Sequence, residues 1–176
     1  LSNDLFQTSQ FSTPDIRFTK SDQSIEYSRA VWGKFIEKRF SRTMMRRTWE
    51  FMRQVGSLDA MDRALGESGS SLRAASLEYA YWNFNTGPAA DTSRFYPEGR
   101  SYPVMRIAST ADYLPPGISL RDSMQAIGSE YHKICILSSP ADTCGHSMHV
   151  IVSNMNVTAG HSDQYFPFSY NVRANP

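Results

Sequence analysis

Two histidines and a cysteine near the C-terminal end have the residue types of a metal site. His146 and His149 are three positions apart, a spacing that lets two imidazoles share an ion on one face of a helix, and Cys144 adds a nearby thiol. However, the pair spans a predicted loop-to-strand junction, where the two rings would point in different directions. No third ligand follows nearby, so we interpret these residues as a polar loop, with a metal site as the alternative.

Glu130 and His132 form a second pair with chemical potential, because residues two apart share one face of a strand. A carboxylate beside an imidazole can serve as a general acid–base pair. The sequence offers no nucleophile to accompany them and contains no HExxH, glycine-rich phosphate loop or GxSxG motif. We therefore expect an exposed strand face, and we assign no catalytic, cofactor-binding or metal-binding residue and no cofactor to this chain.

Cys135 and Cys144 are the two cysteines of the chain and lie on either side of a predicted hairpin turn. In an oxidising compartment they can form a disulfide that stabilises the fold by about 2–3 kcal/mol through chain entropy. In a reducing compartment they would be two thiols, with Cys135 buried and Cys144 in a loop. Both states remain open, and the extracytoplasmic appearance of the rest of the chain favours the disulfide.

A basic segment runs from Lys34 to Arg53, with seven basic and two acidic side chains. Such a segment can bind an anion or a nucleic acid. The whole chain, however, carries 18 Lys and Arg against 17 Asp and Glu, which argues against a dedicated nucleic-acid binder. We expect the solvated faces of two helices, with ion pairs to acidic neighbours and no nucleic-acid partner.

Two regions of different composition must position these side chains. No proline falls between Asp15 and Gly87, whereas prolines punctuate the chain from Pro88 onwards. Residues 1–103 also carry 26 charged groups and residues 104–176 only 9. Because proline breaks helix interiors, we predict an α+β protein with a small helical bundle in residues 1–103, whose linker spans 84–103, and an antiparallel β-sandwich-like domain in 104–176.

Apolar periodicity predicts four helices, at about 24–40, 42–55 and 58–65 and from Ser70 or Ser71 onwards. Short connections make consecutive helices antiparallel neighbours. The residues expected in the core are Met45, Trp49, Met52 and Val55 of the second helix and Leu72, Ala75, Tyr79 and Trp82 of the fourth.

Alternation and β-branched runs predict strands at 131–137, 148–157 and 165–172, with weaker candidates at 104–107 and 119–126. This pattern is typical of an antiparallel sandwich. The region is short for a seven-stranded sandwich, which leaves room for a partner to supply a strand. The longest apolar runs are far too short to span a membrane.

The sharpest motif is LEYAYWNFNTG at 77–87, followed by FYPEG at 95–99 and YPV at 102–104. It resembles a stretch in a family of bacterial secreted proteins classed as zinc metalloproteases, in which a helix ends in WN-aromatic-x-TG and an acidic loop leads into a β-domain. The resemblance covers about residues 24–104. The motif residues are Trp82, Asn83, Thr86, Gly87, Glu98 and Gly99.

In that family the zinc-binding HExxH helix and a further acidic helix lie upstream of the matched region, and neither occurs in this chain. The resemblance therefore transfers no catalytic or metal residue to it. It implies a non-catalytic fragment of a secreted metalloprotease-like protein, whose helices support a peptidase cleft. The β-domain would serve attachment or positioning of a protein substrate, and zinc would belong to the longer parent protein.

A second hypothesis comes from the aromatic C-terminal strand, which includes Tyr165, Phe166, Phe168 and Tyr170. Such a strand can pair with another chain along an exposed edge. The protein would then be an extracellular binding or assembly module. Its partner would be the remainder of its own polypeptide or another chain. Both hypotheses place the protein outside the cell or on its surface.

Overall fold

The computed structural model describes residues 10–21, 29–114, 117–137, 139, 141, 143–156, 158 and 163–173. Within these residues, helices precede strands, which confirms the α+β class. The helices are α1 Ala30–Arg39, α2 Met44–Met52, α3 Ser57–Gly66 and α4 Leu72–Phe84, followed by a 3-10 turn at Gly99–Ser101. The strands are β1 Ser109–Tyr113, β2 Gly117–Gln125, β3 Ser129–Ile136, β4 His146–Ser153 and β5 Tyr165–Arg173.

The helical layer is built around α1 and α4. Ser71 caps α4 as predicted, because its hydroxyl accepts a hydrogen bond from the Ala74 amide at 3.1 Å. Aromatic rings fill the space between the helices edge to face, with Trp32 5.0 Å from Tyr79 and Phe35 5.1 Å from Trp82. The predicted core residues of α4 are all buried: Leu72, Ala75, Tyr79 and Trp82.

The predicted core face of α2 is correct for Met45, which is partly buried against the core, but wrong for Trp49 and Met52. Trp49 is 65% exposed and Met52 38% exposed, whereas Met44 and Thr48 are buried. The Thr48 hydroxyl donates to the Met44 carbonyl at 3.1 Å, so this polar side chain can enter the core with its hydrogen bond made. The helix is therefore rotated relative to the stripe that hydropathy alone selects. The predicted first helix has its start at 24–28 outside the described residues.

The β-region consists of two sheets. One has the order β1-β3-β4, and the other is a ribbon of β2 and β5 alone. β3 pairs with β4 antiparallel but with β1 parallel, which differs from the all-antiparallel expectation. The parallel pair arises because the chain leaves the first sheet to form β2 in the ribbon before it returns as β3. Residues 104–107, predicted as a weak strand, are irregular, and β1 lies just after them.

Strand β3 lies in the middle layer of the molecule. On one face, the Tyr131 hydroxyl donates to the Ala80 carbonyl of α4 at 3.0 Å. On the other face, the His132 ring lies 6.0 Å from Phe168 and 5.6 Å from Tyr170 of the ribbon. Helices, main sheet and ribbon therefore form three successive layers. None of the described helices is long and apolar enough to cross a membrane.

The segment from 10 to 21 ties the helical layer to the strands. The Ser129 amide donates to the Pro14 carbonyl at 2.8 Å, and the Gln125 amide donates to the Asp15 carbonyl at 2.9 Å. The Tyr79 hydroxyl donates to Gln10 Oε1 at 2.8 Å. A Cβ at Gly128 would lie only 2.4 Å from the Asp15 carbonyl oxygen, so this close approach requires glycine.

Candidate functional site

An acidic and imidazole cluster lies between the two sheets. Asp122 of β2 and Glu130 and His132 of β3 each offer a ligand atom, and these three atoms lie within 4.8 Å of one another. Glu130 Oε2 is 3.4 Å from His132 Nε2. Glu130 is 4% exposed and His132 1% exposed, so the expectation of an exposed strand face is wrong. The ribbon covers this face of β3. The alternation of residues within β3 does not show that another sheet packs on it.

Strand geometry explains how the three side chains meet. Alternation along β3 directs Glu130 and His132 to the face opposite Tyr131. In the ribbon, Asp122 pairs with Phe168, so both lie on the ribbon face that meets β3. Asp122 is the one charged residue on that face, where the other described residues are Ile118, Leu120, Met124, Phe166, Phe168, Tyr170 and Val172.

Several polar atoms of this cluster have unused bonding capacity. His132 Nδ1 is hydrogen-bonded to Ser109 Oγ of β1 at 2.8 Å, which fixes the orientation of the ring. In contrast, Glu130 Oε2, His132 Nε2 and the Tyr170 hydroxyl are buried with no hydrogen-bond partner in the described structure. A buried polar atom without a partner costs about 1–3 kcal/mol. The cluster therefore has an energetic reason to take up a ligand.

The electrostatics of the cluster favour neutral side chains. The pKa of Glu130 is raised to about 7. Burial is the main cause, and the charge and hydrogen bond of the neighbouring Asp122 carboxylate add to it. Burial also lowers the pKa of His132, against the opposing effect of Asp122. At neutral pH without a bound cation, Glu130 is therefore partly protonated beside a neutral imidazole.

One imidazole and two carboxylates are donors that suit divalent transition metals. Sequence reasoning identified Glu130 and His132 as a pair but missed Asp122, and it chose the wrong environment for the pair. The signal for Asp122 was present, because it interrupts an alternating apolar series formed by Ile118, Leu120 and Met124. A lone charge in such a series indicates a partner across the interior.

The other sequence candidates occupy different places. Cys135 and Cys144 form a disulfide in the structure, which is one of the two states left open above. His146 and His149 both lie on strand β4, so the predicted polar loop is wrong at these positions. Both are exposed, and the His149 ring is 4.9 Å from that of Phe84. A separation of three residues on a strand places their side chains on opposite faces.

The basic segment is held by ion pairs at the surface. Five of its seven cations lie within 4.0 Å of a carboxylate, including Lys34 at 3.0 Å from Glu98 and Arg47 at 2.6 Å from Glu67. This is the arrangement expected of solvated helix faces. Each exposed pair contributes only about 0–1 kcal/mol to stability.

The motif residues form a packed corner between α4 and the following loop. The Tyr96 hydroxyl donates to Asn83 Oδ1 at 2.8 Å, and the Thr86 hydroxyl contacts the Pro103 carbonyl at 2.7 Å. The Gly87 amide donates to the Gly99 carbonyl at 2.9 Å, and Gly87 has a left-handed φ of 83°.

The remaining motif residues also have structural contacts. Trp82 is buried, and Glu98 accepts a hydrogen bond from Tyr102 at 2.9 Å. These residues fix the direction in which the chain leaves the helices.

Comparison of the chain with protein-family models, curated proteins and solved structures finds no match. Nothing in these comparisons links the chain to a metalloprotease family, so that resemblance stays a prediction from the motif residues.

Proposed function

We propose that this chain is a non-catalytic interaction module, whose helices hold a β-region that binds another polypeptide along the edge of β5. The observation that carries this proposal is the ribbon. β2 and β5 pair with each other over nine residue pairs, and within the described strands neither pairs with a third strand. An open strand edge presents a row of N–H and C=O groups that can pair with an added strand.

Proline placement indicates which amides of β5 face outwards. Pro167 lies opposite Ser123 in the ribbon and has no N–H to donate to β2. Because amides alternate in direction along an antiparallel strand, the amides of Ser169, Asn171 and Arg173 would share the outward direction of position 167. These three residues are also exposed. The docking edge is therefore the second half of β5.

The experiment is amide hydrogen exchange, read residue by residue by NMR. In the isolated chain we expect fast exchange at Ser169, Asn171 and Arg173 and slow exchange at Tyr170 and Val172, which point to β2. In a complex with another polypeptide at this edge, the proposal expects the same three amides to become protected. Equal protection of odd and even positions in the isolated chain would rule out an open edge.

A proline scan provides the matched control. Asn171→Pro removes an outward N–H and should leave the ribbon intact while it abolishes protection by the partner. Val172→Pro removes an N–H directed to β2 and should disrupt the ribbon itself. If both variants unfold the β-region equally, the assignment of outward amides is incorrect.

We also propose a more specific version of this function, which rests on the resemblance of the motif that includes Asn83, Thr86 and Gly87, the residues of the packed corner. On this proposal the partner is the catalytic part of a secreted metalloprotease-like protein, and the helices support its cleft. Its test is the upstream coding sequence together with a peptidase assay. Absence of an HExxH helix there removes this version, and zinc-dependent activity of the isolated chain contradicts the non-catalytic role.

A further inference from the structure

We propose that Asp122, Glu130 and His132 bind a divalent transition-metal ion, with zinc preferred, and that this ion joins the ribbon to the main sheet. The site is independent of strand addition at β5, because it lies on the inner face of the ribbon.

The distances fit direct ligation. Zinc bonds to imidazole nitrogen and carboxylate oxygen are about 2.0–2.2 Å long, so two ligands of a tetrahedral ion lie about 3.3–3.5 Å apart. Glu130 Oε2 and His132 Nε2 are 3.4 Å apart. The Asp122 oxygen lies within 4.8 Å of both, close enough for a modest side-chain rotation to complete the set. Divalent transition metals suit this donor combination, and zinc generally binds more tightly than manganese.

The unpartnered atoms provide a second and independent observation. Glu130 and His132 are more than nine-tenths buried, and their Oε2 and Nε2 atoms face each other with no hydrogen-bond partner in the described structure. Asp122 adds a carboxylate on an otherwise apolar ribbon face. Buried ionisable groups of this kind are expected to be paired or to coordinate metals.

The surroundings also fit a metal ligand. Ser109 Oγ lies 2.8 Å from His132 Nδ1, so the imidazole can place its proton on Nδ1 and its lone pair on Nε2, towards the two carboxylates. A hydrogen bond to the second nitrogen is the usual support of a metal-binding histidine. Asp122 is exposed, which gives an ion a path into the site.

A shared proton is the competing occupant. Asp122 and Glu130 can hold one proton between them, but this arrangement leaves His132 Nε2 without a partner. A metal ion satisfies the two carboxylates and the imidazole together. It also connects β2 to β3, which belong to different sheets.

The test is titration of the chelator-treated chain with ZnCl₂ by calorimetry and with CoCl₂ by visible absorption, which reports on coordination. We expect one ion per chain and a raised midpoint of thermal unfolding. Asp122→Asn, Glu130→Gln and His132→Gln should each weaken zinc binding by about 100-fold or more. The control is the double variant His146→Gln/His149→Gln, which removes the exposed imidazoles and should bind zinc like the parent chain.

The proposal is overturned if the parent chain binds neither Zn²⁺ nor Mn²⁺ at concentrations up to about 1 mM. It is also overturned if binding is lost in the His146/His149 control, or if the three variants bind as the parent does. Circular dichroism establishes whether each variant is folded. Should Glu130→Gln or His132→Gln unfold, Asp122→Asn decides the case, because Asp122 is exposed and its loss leaves the interior packed.

Discussion

The helical layer and the space between the sheets differ in how their unpartnered buried polar atoms are placed. Among the helices, the hydroxyls of Thr48, Tyr79 and Tyr96 all donate to acceptors within 3.1 Å. The unpartnered Arg29 Nε and Asn83 Nδ2 of this layer belong to side chains whose other polar atoms are hydrogen-bonded. Between the sheets, Glu130 Oε2, His132 Nε2 and the Tyr170 hydroxyl have no partner in the described structure. The first region is thus organised for stability by packing. The second region leaves buried polar atoms without hydrogen-bond partners, at an energetic cost that a bound ligand would offset.

The largest effect should come from the helical core, where two tryptophans provide a matched pair. Trp82→Ala removes a buried ring packed on Phe35 and should lower the free energy of unfolding by about 3–5 kcal/mol. Trp49→Ala removes an exposed ring and should change it by less than about 0.5 kcal/mol. Urea denaturation measures both. Equal losses would show that α2 packs its tryptophan inwards.

The disulfide should rank second. Cys135→Ala/Cys144→Ala opens a loop that separates the two residues by nine positions, which should lower the free energy of unfolding by about 2–3 kcal/mol. The reduced parent chain should show a similar loss in the same urea titration. If oxidised and reduced chains unfold at the same urea concentration, the bond contributes nothing to the fold.

The cluster between the sheets should give the chain a distinctive pH dependence when a chelator keeps metal away. The pKa of Glu130 is raised to about 7 in the fold from an ordinary value of 4.5, so the folded state holds a proton that the unfolded state releases. Stability from this group is complete below about pH 4.5 and is lost as the pH rises to about 7, by at most roughly 3 kcal/mol.

Glu130→Gln is the comparison that isolates this contribution. The lowered pKa of His132 acts in the opposite direction, because the unfolded state gains a proton as the pH falls below about 6.5. Both proteins retain His132, so the difference between their unfolding free energies reports Glu130 together with its coupling to His132, whose Nε2 lies 3.4 Å from Glu130 Oε2. If the unfolding free energies of the parent chain and Glu130→Gln change equally between pH 4.5 and pH 7, the pKa of Glu130 is not raised by folding.

The smallest effect should come from the cap of α4. Ser71→Ala removes the acceptor of the Ala74 amide and should lower the free energy of unfolding by about 1 kcal/mol. Ser57 begins α3 without a side-chain capping bond, so Ser57→Ala is the control and should change it by only a few tenths. Thermal unfolding of the two variants would show the difference, and a reversed order would remove Ser71 as the cap.

Local spacing was enough to predict much of the helical layer. Ser71 and the buried face of α4 follow from capping and from the helical period, which involve residues only a few positions apart. The prediction for Trp49 is wrong because hydropathy treats Thr48 as a surface residue. The Thr48 hydroxyl donates to the Met44 carbonyl one turn earlier, so this side chain can be buried in place of Trp49.

The strands were harder to predict because their environments depend on distant partners. β1 lacks a strong apolar alternation, and its parallel pairing with β3 follows from a crossover through the ribbon. Glu130 and His132 looked exposed because nothing near them in sequence covers them. The cluster with Asp122 depends on how the ribbon packs on β3, which the alternation pattern of each strand does not give.

The contacts of residues 10–21 with both the helices and the strands limit the order in which the fold can form. The Arg17 amide donates to Gln125 Oε1 at 3.0 Å, a contact between residues 108 positions apart. Arg17 is synthesised long before the turn between β2 and β3, so this segment can pack on the helices first, through Phe18 against Trp32, and bind the strands only later. Its contacts with the strands join residues far apart in sequence, and such contacts are associated with slower folding.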